Sequence, residues 1–467
     1  MVFSSLTFLY FFLPITLLVY YVSPKKVKNF ILLVSSLAFY AWGEPIYILA
    51  MIFSASVDYV AGRIMDINDD NQKARNICLV FSVCMNIGLL AIFKYSSFFV
   101  ENINSIFDTR IANPNLPLPI GISFYTFQSM SYIIDLYRRK VKVQKNLIDF
   151  MAYVTMFPQI IAGPIVTYNK LEEKLKNRKV TLDYLSDGVA QFVKGLGKKV
   201  LLANNIGMMW EQVKSLNYSN MSAATAWLGI IAFAFQIYFE FSGFSDMALG
   251  LGKMLGFDFP KNFNLPYTAT SITNFWKSWN ITLGAWFRKY LYIPLGGKHK
   301  GTLKTIRNIL ITWIVIGFWY GAGWNFAIWG LYFGVLIILE KFVCGKYLEK
   351  LPKIINKLYT FLLVLFGWVI FNSNSIFEFK KYIGAMFGFN GLLYDRTTVF
   401  LIVNYAFIFT ICVICSGTVV SKISNKLDEL KIDFRSISAP IFQLGIMLLS
   451  TAYLVNQSYN PFLIFKL

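Results

Sequence analysis

A chain of 467 residues that is 56% hydrophobic, 18% aromatic and only 15% charged, with a mean hydropathy of +0.54, lies outside the composition of soluble globular domains. Its 44 Lys and Arg against 24 Asp and Glu, a formal net charge of +20, sit in short loops between apolar runs and form no groove-tracking face, which argues against nucleic acid and for a basic membrane surface. Five cysteines, Cys78, Cys84, Cys344, Cys412 and Cys415, lie in or beside apolar runs; an odd count without loop spacing is no disulfide framework, Cys412-x-x-Cys415 reads as small packing residues in a span, and no metal is expected.

The first apolar run, Phe3 to Val22, has no basic residue ahead of it and Lys25, Lys26 and Lys28 behind it. That is the reverse of a cleavable signal peptide and predicts a retained span with the N-terminus outside. A second helix is expected over Phe30 to Trp42, short for a full crossing, with Gly43-Glu44-Pro45 breaking it before a third run, Ile46 to Ile64. The segment Arg63 to Arg75 is then cytoplasmic, and a fourth span, Ile77 to Val100, returns the chain outside. There Glu101, Asp108 and Arg110, two acids against one base, give the loop 101–117 a net charge of minus one. Leu118 to Tyr137 leads back to Arg138, Arg139, Lys140, Lys142 and Lys145, a loop without an acid. The inside loops are richer in Lys and Arg than the outside loop, so the orientation is self-consistent.

Within Phe150 to Tyr168, Pro158, Gly163 and Pro164 interrupt the helix and free backbone groups that lipid cannot satisfy. Broken helix at that depth must line a cavity or be buried in protein, and a re-entrant hairpin is expected because the basic segment Lys170 to Lys179 follows. Gly188 to Leu202, with Lys194, Lys198 and Lys199, is expected as an amphipathic piece at the interface. Clear spans follow at Ala223 to Phe241, Ile306 to Trp319, Trp324 to Leu339, Ile355 to Phe371, Val399 to Val419 and Ile437 to Val455. The expected fold is an all-α polytopic membrane protein of about 11 transmembrane and re-entrant segments with interfacial cytoplasmic helices. No repeat or linker divides it, so residues 1–467 read as a single domain: N-terminal helices (1–237), a signature region (238–340) and C-terminal helices (341–467).

Seven of the 11 tryptophans fall between Phe239 and Gly334, among acids and bases that lipid makes expensive. From Ser271 to Tyr290 the large residues Ile272, Phe275, Trp276, Trp279, Leu283, Trp286, Phe287 and Tyr290 form a 3.6-residue stripe, with Ser271 as N-cap and Lys277, Ser278, Asn280 and Lys289 opposite. This predicts one helix lying in the membrane interface. After it, Arg288, Lys289, Lys298, Lys300, Lys304 and Arg307 cluster around Ile293-Pro294-Leu295-Gly296-Gly297, where a Gly-Gly turn lets backbone approach a ligand and cations can hold phosphates or lipid head groups. A solvated loop fits the same composition. Upstream, Glu240, Ser242, Gly243, Ser245 and Asp246 sit at the end of a span, where Glu240 or Asp246 is expected to pair with Arg288 or Lys253 in a functional site or a structural ion pair.

The strings FSGFSDMALGLGKMLGF, PKNFNLPY, SITNFW, WFRKYLYIPLGG and GFWYGAGWNFAIWG, with LPIGISFYTFQSMSYIIDLYRR and FPQIIAGPIV before them, resemble in order and spacing the bacterial membrane-bound O-acyltransferases of the alginate-acetylating type. The likeness covers roughly residues 1–460. It implies a helical bundle in the bacterial cytoplasmic membrane with a tunnel through it. An acyl group, in the first instance acetyl, would pass from a cytoplasmic donor, commonly a coenzyme A thioester, to an acceptor hydroxyl or to an extracytoplasmic acetyltransferase that modifies polysaccharide. Acetyl-coenzyme A would be a substrate, and no bound cofactor is expected.

The resemblance also implies site residues, and here the sequence departs from the pattern. The family carries a histidine after the tryptophan of its W-H-G motif, where this chain has Tyr320, and another in F-W-x-x-W-H, where it has Asn280; a histidine that some members have further on is Phe333. His299, the only histidine, reads as a solvated loop residue. Tyr320 and Asn280 thus stand at the catalytic positions, Trp319, Trp324 and Asn325 with Glu240, Ser242 and Asp246 would shape the tunnel, and Arg288 and Lys289 would hold the donor. Imidazole suits removal of the acceptor proton because its pKa lies near neutrality, whereas a phenol, near 10, is a poor base without a cation beside it. Tyr320 retains the capacity to donate a hydrogen bond to a thioester carbonyl or its oxyanion. A weakened enzyme, an inactive relative serving as scaffold or acyl conduit, and an engineered inactive form all fit these letters. A transporter built on broken helices is disfavoured because no paired half-repeats appear.

Overall fold

The computed structural model describes residues 1–456 apart from 162, 299–300, 421, 424–425 and 427–433. His299, Lys300 and most of the basic loop 422–435 therefore lie outside the described residues. Within them every regular element is helical. Seven helices are long and apolar enough to cross a membrane: Ile48–Ile67, Gln72–Phe107, Ala223–Met254, Trp324–Leu348, Lys353–Asn372, Arg396–Ser416 and Ala439–Asn456. Phe8–Val22 and Leu147–Ile160 are apolar but shorter. The molecule is a multi-pass all-α membrane protein, and many of its largest apolar side chains face outward, as lipid permits.

Contacts gather the chain into two compact units, residues 1–192 with 246–260 and residues 193–245 with 261–467. The helices Leu182–Gly197 and Ala223–Met254 contribute residues to both.

In the first unit the interruption at FPQIIAGP falls where proline and glycine require it. The helix Leu147–Thr155 stops at Met156, and a single turn, Phe157–Ile160, follows with Pro158 in its first positions. Nearly all side chains from Phe150 to Val166 are buried, so the broken backbone is enclosed by protein. The Phe157 N–H finds the buried Ser36 hydroxyl at 3.1 Å. Arg178 fastens the unit elsewhere, donating from Nε to the Tyr20 hydroxyl at 2.6 Å and from Nη1 to Asn29 at 2.5 Å, with Phe257 under its guanidinium at 4.6 Å. A buried carboxylate, Asp58, lies in a span with no basic side chain paired to it among the described residues, and is solvated instead by the hydroxyls of Ser82 and Ser129 and by Asn86 at 2.9 Å.

The second unit is built around an aromatic core. Its helices Thr302–Tyr320 and Trp324–Leu339 cross in near backbone contact: a Cβ added at Gly317 would meet the Phe326 carbonyl oxygen at 2.2 Å, and one at Gly330 would meet the Trp313 carbonyl oxygen at 2.2 Å. Small residues permit such approach in membranes, where packing rather than hydrophobic exclusion drives association.

Two expectations fail here. The single interfacial helix over 271–290 is two short helices, Ile272–Ser278 and Ile281–Phe287, separated by Asn280 in the left-handed conformation (φ 43°, ψ 56°). The apolar stripe is nevertheless directed as expected, with Phe275, Trp279, Leu283, Trp286 and Phe287 buried, and the Ser271 hydroxyl caps the first helix by accepting the Asn274 N–H at 3.0 Å. The piece 188–202 is part of a longer helical run from Leu182 to Lys214, with a wide π-type turn at Lys198–Ala203. Lys199 does not face the interface: it is fully buried.

Candidate functional site

The two positions singled out by the motifs, 40 residues apart, come together in the second unit. Tyr320 ends the helix Thr302–Tyr320 and is 2% exposed; the Asn280 side-chain amide, 5% exposed, donates to its hydroxyl at 3.5 Å. Asn280 reaches it because the left-handed residue turns the chain between the two short helices, a conformation asparagine tolerates better than other residues with a Cβ. Sequence periodicity alone put Asn280 on the polar face.

Neighbouring segments lock this turn. Asn262 accepts the Thr282 N–H at 3.0 Å and its hydroxyl at 2.9 Å, while its own carbonyl oxygen accepts the Ile281 N–H at 2.9 Å. The Asn264 N–H donates to the Ser278 carbonyl at 2.9 Å. Upstream, the buried Glu340 carboxylate accepts the Ile272 N–H at 2.6 Å and the Thr273 N–H at 2.8 Å, putting a negative charge at the N-terminus of the helix that leads to Asn280. Neither Asn262 nor Glu340 was singled out in the sequence. Asn262 was visible as one of the polar residues inside PKNFNLPY, but Glu340 acts from 68 residues away and left no local signal.

Aromatic rings enclose the pair. Tyr320 meets Trp319, Trp329 and Phe371 edge-on at 5.2, 5.0 and 6.1 Å. Trp279 packs against Trp368 at 5.2 Å and against Phe241 at 6.4 Å, so the helix that carries Glu240 touches the residue before Asn280. The indole N–H groups of Trp276 and Trp329 are buried and find no acceptor among the described residues, whereas those of Trp279 and Trp368 are directed at the Tyr320 and Tyr267 hydroxyls. Buried donors without acceptors are rare enough to call for water or a ligand.

The other expected residues divide. Asn325 donates to the Phe371 carbonyl at 3.1 Å and thus supports a ring that meets Tyr320, whereas Trp324 is 61% exposed. Glu240 and Ser242 are buried on Ala223–Met254. The cation beside Glu240 is Lys199 at 3.4 Å, both side chains 0% exposed, in place of the Arg288 or Lys253 expected. Lys253 instead pairs with Asp187 at 2.9 Å, and in the same unit Asp246 accepts from Gln191 at 2.7 Å. Sequence reasoning missed Lys199 as a charge partner because its helix looked amphipathic. Arg288 is exposed and Lys289 lies 4.9 Å from the Tyr290 ring. Burial raises the Tyr292 phenol above its usual value, with Arg288 pulling the other way. The Gly296–Gly297 turn has positive φ at both glycines (111° and 54°) and is tied to the next helix by Asn308, which donates to the Gly297 carbonyl at 3.1 Å.

Residues 123–377 match the model of the membrane-bound O-acyltransferase family. The probable alginate O-acetylase of Pseudomonas putida is 41% identical over 83% of this chain and 81% of its own length. That of Pseudomonas syringae is 41% identical over 83% of this chain and 76% of its own. The peptidoglycan O-acetyltransferase of Helicobacter pylori is 31% identical over 84% of this chain and 81% of its own. Matched across more than half its length by the family model and across most of it by these relatives, the chain belongs to the membrane-bound O-acyltransferase family.

Proposed function

We propose that this chain moves an acetyl group from a cytoplasmic coenzyme A thioester to a hydroxyl of a cell-surface polysaccharide, or to an extracytoplasmic acetyltransferase that completes the transfer. It works as a multi-pass protein of the bacterial cytoplasmic membrane with its N-terminus outside. The observation that carries this is the meeting of Asn280 and Tyr320 at 3.5 Å, buried among aromatic rings, in a chain whose relatives acetylate alginate and peptidoglycan by name.

In that reaction the acceptor hydroxyl oxygen attacks the thioester carbonyl, charge gathers on the carbonyl oxygen, the C–S bond breaks, and the leaving thiolate takes up the proton that the acceptor hydroxyl gives up. The Tyr320 O–H and the Asn280 amide are donors that can hold the developing oxyanion, and in a water-poor site such donors are worth more than in solution. The buried Trp276 and Trp329 indole N–H groups would receive acceptors from a carbonyl-bearing substrate. Glu240 and Ser242 with Trp319, Trp324 and Asn325 shape the passage, and Arg288 and Lys289 hold the donor's phosphates.

A second reading is favoured by Tyr320 itself. Its neighbours are rings, the Asn280 amide and the Trp279 indole, with no basic side chain bonded to it among the described residues. Without a general base the acceptor proton leaves unaided, which slows such reactions by ~10² to 10⁴. The chain would then be a scaffold or acyl conduit for a partner acetyltransferase. Transfer of labelled acetyl by membranes carrying the natural chain, Tyr320→Phe and Tyr320→His separates the two. Activity that Phe abolishes supports participation of the phenol; silence relieved only by His supports the conduit; activity indifferent to Phe removes Tyr320 from the chemistry.

A further inference from the structure

Away from the aromatic core, in the first unit, the helices Ile48–Ile67 and Gln72–Leu90 pack side by side, joined by the turn 68–71. An open groove of about 430 Å³ runs between them. Phe53, Val57, Val60 and Ile64 line it from the first helix, Ile77 and Phe81 from the second. From Phe53 to Ile64 is 11 residues, ~16 Å of helix, or about half the ~30 Å hydrocarbon core. Its walls are open to the medium, with Val60 52% and Ile77 69% exposed, and on helices of this hydropathy that medium is hydrocarbon.

Apolar walls alone select nothing, since lipid tails are as apolar as the side chains they would touch. Selection has to come from a polar group beyond that lining, and two cations stand about one helical turn from it. Arg63 lies three residues past Val60 and seven past Ser56, on the groove side of its helix; Lys73 lies four before Ile77 and eight before Phe81, on the groove side of the other. Both sit toward the end closed by the turn. The Arg63 guanidinium makes one long hydrogen bond, 3.4 Å to the Lys145 carbonyl, and its Nε is buried with no acceptor among the described residues. No ion pair ties either cation to an acid among the described residues. Asp69 is taken by Arg75 at 2.5 Å and Arg139 at 3.3 Å, while Asp66, three residues past Arg63, and Asp70, three before Lys73, are both exposed.

We propose that this groove seats one acyl chain of an anionic glycerophospholipid, its phosphate held between Arg63 and Lys73. A charged head group is attracted where cations meet the interface, and the chain fixes which lipid-facing crevice it occupies. The site is independent of the chemistry at Tyr320, so either assignment can fail alone.

The full chain is reconstituted with phosphatidylglycerol carrying a photoactivatable group midway along one acyl chain, irradiated, and its adducts mapped by peptide mass spectrometry. Adducts should concentrate in 53–64 and 77–81. Val60→Trp, which fills the groove from an exposed position, should cut them tenfold or more. Arg63→Gln and Lys73→Gln should each lower them roughly fivefold, the effect of one juxtamembrane cation, while Lys346→Gln, an exposed charge on another helix, leaves them unchanged. Adducts spread evenly over the exposed apolar surface, or yields unmoved by Val60→Trp or by both charge removals, overturn the site.

Discussion

Glu340 holds Ile272: one carboxylate oxygen takes the Ile272 N–H at 2.6 Å and the other takes the Thr273 N–H at 2.8 Å and its hydroxyl at 2.7 Å. A buried acid is thereby satisfied by backbone donors at a helix start, and the turn that presents Asn280 to Tyr320 is held at its upstream end. Glu340→Gln keeps the shape and removes the charge. It should lower stability by about 1–2 kcal/mol, read as a fall in the thermal unfolding midpoint in detergent; Glu340→Ala, which strands the donors, should cost more. An unchanged midpoint in both would mean that the cap contributes nothing.

Asn280 separates backbone from chemistry. At φ 43° a residue with a Cβ but no polar side chain is strained by roughly 1–2 kcal/mol. Asn280→Gly should therefore unfold at a higher temperature than Asn280→Ala, although both remove the amide facing Tyr320. The reverse order would mean that the left-handed turn does not persist in solution.

At the helix crossing, Gly317→Ala and Gly330→Ala each drive a methyl into a backbone carbonyl at 2.2 Å. Backbone cannot yield as a flexible side chain can, and a loss of about 3 kcal/mol or more is expected. Fluorescence-detected size-exclusion chromatography should show little monodisperse protein for either. Gly284, whose added Cβ meets nothing within 4 Å, is the control.

Lys199 and Glu240 form an ion pair at 3.4 Å with both side chains fully buried. Breaking such a pair from one side costs about 3–5 kcal/mol, whereas replacing both partners by apolar groups of similar size is often near neutral. Lys199→Met and Glu240→Met should each destabilise severely, and the double variant should recover most of the loss in a thermal-unfolding cycle. Additive losses would show the two charges to be independent.

Asp395 gives a pH signature. Burial pushes its carboxyl up, but the Thr398 N–H and the hydroxyls of Thr398, Ser222 and Thr225 together outweigh burial and hold it below the usual carboxylate range. A depressed folded value means that stability is fully present above the unfolded value of about 3.9 and is lost as pH falls through the folded one. Asp395→Asn should flatten the acid limb of the stability profile below about pH 4, with little change at neutrality.

Much of this was written in local sequence. Length and hydropathy set the spans, so that Trp324–Leu339 begins and ends where its apolar run does, and the Pro158 break and the Ser271 cap follow from the chemistry of those residues alone. What sequence hid were decisions made at a distance. Lys199 looks interfacial until Glu240 is found beside it, Glu340 looks like the acidic end of a span until the Ile272 N–H is found against it, and a 3.6-residue stripe runs unbroken through Asn280 although the helix does not. Tyr320 and Asn280 were found together by motif; their proximity depends on Asn262, Glu340 and the turn between two short helices.

The glycine crossing also bears on motion. With Phe326 and Trp313 carbonyls resting on Gly317 and Gly330, the hairpin that carries both Tyr320 and Trp329 has no compliant layer between its arms. It moves as one stiff lever, so any displacement of the hairpin leaves the spacing of those two rings untouched and bends the chain outside it instead.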